Sequence, residues 1–254
     1  MPRSLKSYIA YSLGFFIVLE LLLAAAILYW PEFVKNFDNI VALTSFLKPV
    51  RDLAMLAKEE GVPAYVAGQH FFKGCSAMGT AASVLFAANA IAGEAQRGTL
   101  ELMLARPVSR LRLYTERWLG GFLAVALPVY ATTMTVPWLL SRVGESMDWG
   151  DLLLCATYMC LFLAPIFALT FAWSSWGSEP LRISYVSLFA AILAFGLYFV
   201  EVTTNLTPFR LVDPRVFMAI IKTDSLDWRR ALPLAFVTLL GFLAGDRGFR
   251  SRTP

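Results

Sequence analysis

The sequence predicts an all-α membrane protein. It has six transmembrane helices with both termini inside (N-in/C-in), a short cytoplasmic helix between spans two and three, and short helices on the outer face. Three observations carry this. First, the 254 residues are 58% hydrophobic and only 16% charged, with mean hydropathy +0.62. A soluble domain carries roughly 25% charged residues, so this chain has too little polar surface to cover a soluble fold of its size. Second, six apolar runs meet or approach the about 20 residues that a helix needs to cross a bilayer: roughly 8–30, 71–92, 118–140, 152–175, 183–201 and 229–245. Third, the basic residues are uneven. With the N-terminus inside, the inner segments 1–7, 93–117, 176–182 and 246–254 hold 11 Lys and Arg in 48 positions, against 9 in 81 for the outer segments 31–73, 141–151 and 202–228. That is the bias of the positive-inside rule. No internal repeat or low-complexity linker divides the chain, so residues 1–254 are expected to form one transmembrane domain, placed in the cell (plasma or inner) membrane.

Composition also narrows function. The net charge of +4 is spread among apolar runs, which points to anionic lipid at the inner leaflet as the partner of these charges and away from nucleic acid. Cys75, Cys155 and Cys160 lie within or beside apolar runs, odd in number and without CxxC spacing, so they read as small packing residues. His70 is the only histidine, which removes HExxH zinc sites, bis-histidine haem and histidine triads repeated within one subunit. The methionines are scattered, and no metal site is expected.

Taken in order, the first run follows Arg3 and Lys6 and is too long for a signal peptide. It contains Glu20, the only acidic residue near a span centre. A charge there is costly, about 2.5–3.5 kcal/mol on insertion scales. Two readings stay open: a functional intramembrane carboxyl, or one hydrogen-bonded to a neighbouring helix. In the first outer segment Pro49 opens a helical pattern with Val50, Leu53, Ala54 and Ala57 on one face, and Gly61 closes it. The second run is rich in small residues, including Gly74, Ser76, Gly79, Ala82 and Ser83, the composition of a centrally packed membrane helix. Lys73 and Glu201 stand near outer span ends, where they can snorkel to the interface. Runs three and four contain Pro128, Pro137 and Pro165, tolerated in membrane helices when neighbours satisfy the freed carbonyls. In the last outer segment Asp213 can cap, and Pro214 can open, a short apolar helix ending at Lys222. The two outer helices either cap the bundle or gate it.

The densest punctuation lies between runs two and three, from Gly93 to Arg110. Glu94 and Arg97 follow the apolar run directly. Gly98 permits a tight turn and Thr99 can cap the next helix. Glu101 falls in that helix's first turn, where a negative charge suits the dipole. Leu100, Leu102, Met103 and Leu104 give it a large apolar surface. Pro107 stops it by pushing Arg106 out of helical geometry, and Ser109 can cap the helix that runs through Arg110, Arg112 and Arg117 into span three. An exposed apolar patch of this kind marks a binding surface. An interfacial helix resting on lipid would carry the same pattern.

These residues resemble a known family. Gly93-Glu94 at the end of span two, then Gly98-Thr99-Leu100-Glu101, then Pro107, Ser109 and Arg110, are similar to the membrane (permease) subunit of ABC-2 type transporters. The resemblance implies that the 93–110 loop is a coupling helix that docks on a separate cytosolic ATP-binding cassette ATPase. It also implies a second permease copy, and ATP and Mg on the ATPase with no cofactor on this chain. Gly93, Glu94, Arg97, Gly98, Thr99, Leu100, Glu101, Leu102, Pro107, Ser109 and Arg110 would form the ATPase-coupling element. The family usually begins with a longer amphipathic helix before span one, whereas only Met1 to Ser7 precede the apolar run here. No GxxxxGK[ST] occurs in the sequence, so the chain has no phosphate-cradling loop of its own. The nearly uncharged spans favour an amphiphilic or lipid-like substrate over a small hydrophilic ion, and export is the expected direction. A stand-alone channel or secondary transporter would need more buried polar groups or broken helices. An intramembrane enzyme would need a nucleophile with a base, and His70 has no evident partner in the sequence.

Overall fold

The computed structural model describes residues 3–43, 48–105 and 107–252, so Arg106 of the 93–110 loop lies outside the described residues. The chain opens with α1 (Arg3–Lys35), followed by α2 (Phe37–Leu43) and α3 (Lys48–Glu60). The second span is one continuous rod made of α4 (Val62–Val66), a π-wound stretch (Ala67–Met78) and α5 (Gly79–Ala90). Two short helices follow, α6 (Ala92–Gln96) and α7 (Leu100–Leu104), then α8 (Arg110–Ser141), α9 (Trp149–Trp176) and α10 (Pro180–Tyr198). A 3₁₀ turn (Pro208–Val212) leads into α11 (Pro214–Thr223), and α12 (Trp228–Arg250) closes the chain. Among the described residues, six helices are long and apolar enough to cross a membrane.

Local chemistry explains the boundaries. Ser109 opens α8 by accepting from the Arg112 amide at 3.3 Å, and Asp148 opens α9 by accepting from Gly150 at 2.6 Å. Asp213 and Asp227 do the same for α11 and α12, each filling one of the donors a helix start leaves open. Gly61, at φ 72°, ends α3 in the left-handed region that glycine tolerates. Pro63 then starts the second span, about nine residues before the expected 71. Two short apolar windows and an exposed Lys73 hide that start in the sequence. The helix of span three starts at Arg110 behind the Ser109 cap, as the sequence predicts, and span six is longer than expected, continuing beyond its apolar stretch to Arg250. Pro31, Pro128, Pro137, Pro165 and Pro233 all sit inside helices without ending them.

The second span and α9 form the buried centre, as the small residues predict. A Cβ on Gly79 would stand 2.7 Å from Leu163 Cδ1, so a side chain there would displace the leucine that packs over the glycine. The α9–α12 contact works the same way. A Cβ on Gly241 would be 3.0 Å from the Ala168 backbone, and one on Gly245 would be 2.9 Å from Ala172 Cα. Gly241 and Gly245 are one helical turn apart and so are Ala168 and Ala172, the small-xxx-small pairing that lets dispersion hold helices together in lipid. Around this contact Phe162, Phe167 and Phe171 are fully buried, and Trp118 meets Phe167 edge-on at 5.8 Å. His70 does find a partner: its Nε2 lies 3.0 Å from Thr133 Oγ1 on α8. The Thr133 hydroxyl also lies 2.7 Å from the Val129 carbonyl one turn back on α8.

At one end of the bundle α11 dips between spans. Phe217 stacks on Phe71 at 4.9 Å and meets Tyr158 edge-on at 5.9 Å. Asp213 is buried there, accepting from Tyr198 Oη at 2.8 Å, Arg210 Nη1 at 2.6 Å and the Arg215 amide at 2.9 Å. The short helices α3 and α11 are joined by Arg215–Asp52 at 3.7 Å and by Lys222–Glu60. The opposite end gathers the N-terminal turn of α1, the 93–109 loop, the α9–α10 turn and the C-terminal residues. Tyr8 reaches the Arg117 carbonyl at 3.5 Å. Arg110 donates to the carbonyl oxygens of Arg250, at 2.8 Å, and Arg252.

Candidate functional site

The loop begins where α5 is interrupted. Ile91 leaves helical geometry at φ −119°, and the freed backbone groups are taken up by one side chain from α9. Ser174 Oγ accepts from the amides of Ile91 (3.3 Å) and Ala92 (2.9 Å) and donates to the Ala88 carbonyl (2.8 Å), the full capacity of a hydroxyl. Ser174 was not among the sequence candidates. Its only signal is a polar residue at the end of an otherwise apolar run.

The next turn is a Schellman closure of α6. The Gly98 amide bonds to Ala95 O at 3.0 Å and the Thr99 amide to Glu94 O at 3.0 Å, with Gly98 at φ +67°, the geometry that satisfies a helix's last carbonyls. Glu94 locks this turn from the side. Its carboxylate meets Arg97 at 3.2 Å and Arg117 of α8 at 3.5 Å, and it accepts the Thr99 hydroxyl proton. Thr99 was expected to cap α7, but its hydroxyl turns back because a carboxylate is the stronger, charge-assisted acceptor. Burial raises the cost of the Glu94 charge. The Thr99 hydrogen bond and the Arg117 and Arg97 charges outweigh it and hold the carboxyl below its ordinary range.

The eleven loop residues singled out in the sequence therefore fall together and divide by role. Gly93 and Leu100 are buried, the latter at 6% exposure; a Cβ on Gly93 would press on Asn89 Oδ1 at 3.3 Å. Glu94, Thr99 and Arg110 bond inward. Arg97, Gly98, Glu101, Leu102, Pro107 and Ser109 face outward, and Leu102 is 72% exposed. The apolar patch is thus narrower than the sequence suggested, since Leu100 and partly buried Leu104 pack against the core. Beside α7 lies a groove of 420 Å³ with Glu101 and Gly98 on one wall and Trp176, Ser178 and Arg252 on the other. Arg252 forms that wall because its guanidinium caps the end of α9, donating to Ser175 O at 2.8 Å, Ser174 O at 3.3 Å and Gly177 O.

Glu20 stands apart from this loop. It is half-buried on α1, and the Thr135 hydroxyl of α8 lies 2.9 Å from its Oε2, a polar contact between spans one and three. Among the described residues, no group of three or more His, Cys, Asp or Glu is placed to hold a metal ion.

Compared with known proteins, residues 72–207 match the family model described as ABC-2 family transporter protein. No curated protein matches the chain.

Proposed function

The chain belongs to the ABC-2 transporter family, and we propose that it exports an amphiphilic or lipid-like substrate, driven by a separate cytosolic ATPase that docks on the 93–110 loop. The family makes it a transport component of the membrane. The direction, the cargo and the mode of coupling are the proposal. One observation carries it: the loop is rigidly held from within by Glu94, Thr99, Arg117 and Ser174, yet presents Leu102 outward at 72% exposure. A loop that only reversed the chain would need no such bracing. A braced loop can transmit displacement to α5 and α8, because force on Leu102 reaches both helices through Glu94 and Arg117.

In this reading the end of the bundle bearing Arg97, Arg110, Arg112 and Arg247 is cytoplasmic, and the membrane is the plasma or inner membrane. Two permease copies pair with two ATPase subunits. ATP and Mg²⁺ are held by those subunits, and their closure draws the two loops together and switches the bundle. The nearly uncharged spans favour an amphiphile over a hydrophilic ion.

The test replaces Leu102 with Asp and Glu101 with Ala in the full complex. Substrate movement should fall at least tenfold while ATP hydrolysis continues and the chain remains membrane-inserted. Unchanged transport in the double variant would overturn the coupling assignment. Purification of the parent chain should also bring down an ATPase carrying a Walker motif.

A further inference from the structure

We propose that the groove between α1 and the second span is a binding site for an amphiphile with an anionic headgroup, of the phospholipid class. This deepens the cargo half of the proposed function. Its role in transport rests on that reading, whereas binding itself does not.

The groove has a volume of 400 Å³ and is lined mainly by Leu22, Ala25, Tyr29, Phe33, Gln69 and Lys73. Its depth in the bilayer follows from contacts along α1. Tyr8 touches the Arg117 backbone at the basic end of the bundle. Tyr29, twenty-one residues later, is about 31 Å further along at 1.5 Å per residue, the thickness of a hydrocarbon core. Two contacts set the second span against this ruler: Tyr65 donates to Ala26 O at 2.9 Å, and the space above Gly74 is bounded by Leu19 Cδ2 at 3.9 Å. Lys73, beside Gly74, is therefore rooted well inside the apolar zone, not at the span end where the sequence suggested it. Its ammonium has to reach toward the far rim to be solvated.

What it meets there is limited. Lys73 Nζ lies 3.5 Å from Gln69 Oε1, and among the described residues no carboxylate pairs with it. The groove joins this cation to an apolar trough. Met78 lies deeper than the lysine, Leu22 and Ala25 line the groove between it and the rim, and Tyr29 stands at the rim, 50% exposed. A cationic, amide-bearing spot set within an apolar groove that opens at the Tyr29 rim complements a phosphate carried on an acyl chain. The attraction of an anion to such a lysine is strengthened by the low dielectric around it. A zwitterionic lipid brings its own cation and gains less. Free phosphate lacks the chain that fills the trough.

The experiment uses the full chain in nanodiscs of equal phosphatidylglycerol and phosphatidylcholine, with retained lipid measured by native mass spectrometry after release into detergent. The parent should retain phosphatidylglycerol preferentially, by about tenfold. Lys73→Gln should abolish the preference, and Lys73→Arg should keep it. Ala25→Phe, at an exposed position that a ring would fill toward the trough, should lower retention of both lipids. Inorganic phosphate should displace neither. An unchanged preference in Lys73→Gln, unaltered retention in Ala25→Phe, or displacement by inorganic phosphate would each overturn the site. No ATPase takes part, so failure here leaves the coupling role of the loop standing, and failure of the Leu102 test leaves this groove standing.

Discussion

The Glu94 carboxylate ties the loop to α8 through Thr99, Arg97 and Arg117. In the sequence it directly follows an apolar run. In the fold its side chain is 16% exposed, because α8 brings Arg117 back over it from twenty-three residues away. The pairing is long-range, so spacing within the loop could not supply it. The pH dependence follows. The carboxyl is held below its ordinary value of 4.5, so its stabilisation is fully present above that pH and is lost as the pH falls through the lower folded value. Hydrogen exchange at the Thr99 amide, corrected for the intrinsic rate, should show the turn closed at neutral pH and opening only in acid below about 4.5. Glu94→Gln should abolish that acid transition and raise opening at pH 7 by the equivalent of about 1–2 kcal/mol. An acid transition unchanged in Glu94→Gln would move its origin elsewhere.

At the scale of elements, hydrophobic runs located all six spans, because a spanning helix must announce itself by length, and cap and face patterns located α3 and α11. The ends were less legible where a helix continues past its apolar stretch, as at Arg250, or begins before it, as at Val62. The short α2, α6 and 3₁₀ turn carry too few residues for a periodic signal. The α11 unit was the most readable of the small elements, since Asp213-Pro214 combines a cap with a residue suited to the first helical position. What the sequence left invisible is that Asp213 also accepts from Tyr198 and Arg210, tying the end of α10 to α11. Removing the carboxylate strands three donors at once. Asp213→Ala should therefore cost about 2–3 kcal/mol, read as a lower midpoint of thermal unfolding in detergent, and Tyr198→Phe about 1 kcal/mol. Equal midpoints for parent and Asp213→Ala would show that α11 is held by Phe217 and its ring contacts alone.

For the whole molecule, the question is where cargo could pass. The interior between α8, α9 and α12 is filled by packed rings, among them Phe167 and Phe171 against Tyr114 and Trp118. A route through one chain would have to empty that core. A route at the chain's surface does not, and α10 provides such a surface. Tyr185, Phe189 and Ile192 are about 70% exposed on one face, and Gly196, on the same face, has open space where a side chain would project. In lipid an apolar face gains nothing merely by being covered, so the gap above Gly196 matters more than the rings: it allows a second backbone to come close. We therefore expect the second permease copy against α10. Cys75, Cys155 and Cys160 are all buried, so a cysteine placed on the surface can be addressed selectively. Phe189→Cys, treated in native membranes with a short bis-maleimide, should give a cross-linked pair of chains, and Leu21→Cys, equally exposed on α1, should not. Cross-linking through position 21 and none through 189 would put the partner on α1 instead, over the groove that holds Lys73. The lipid site and the dimer would then compete for one face.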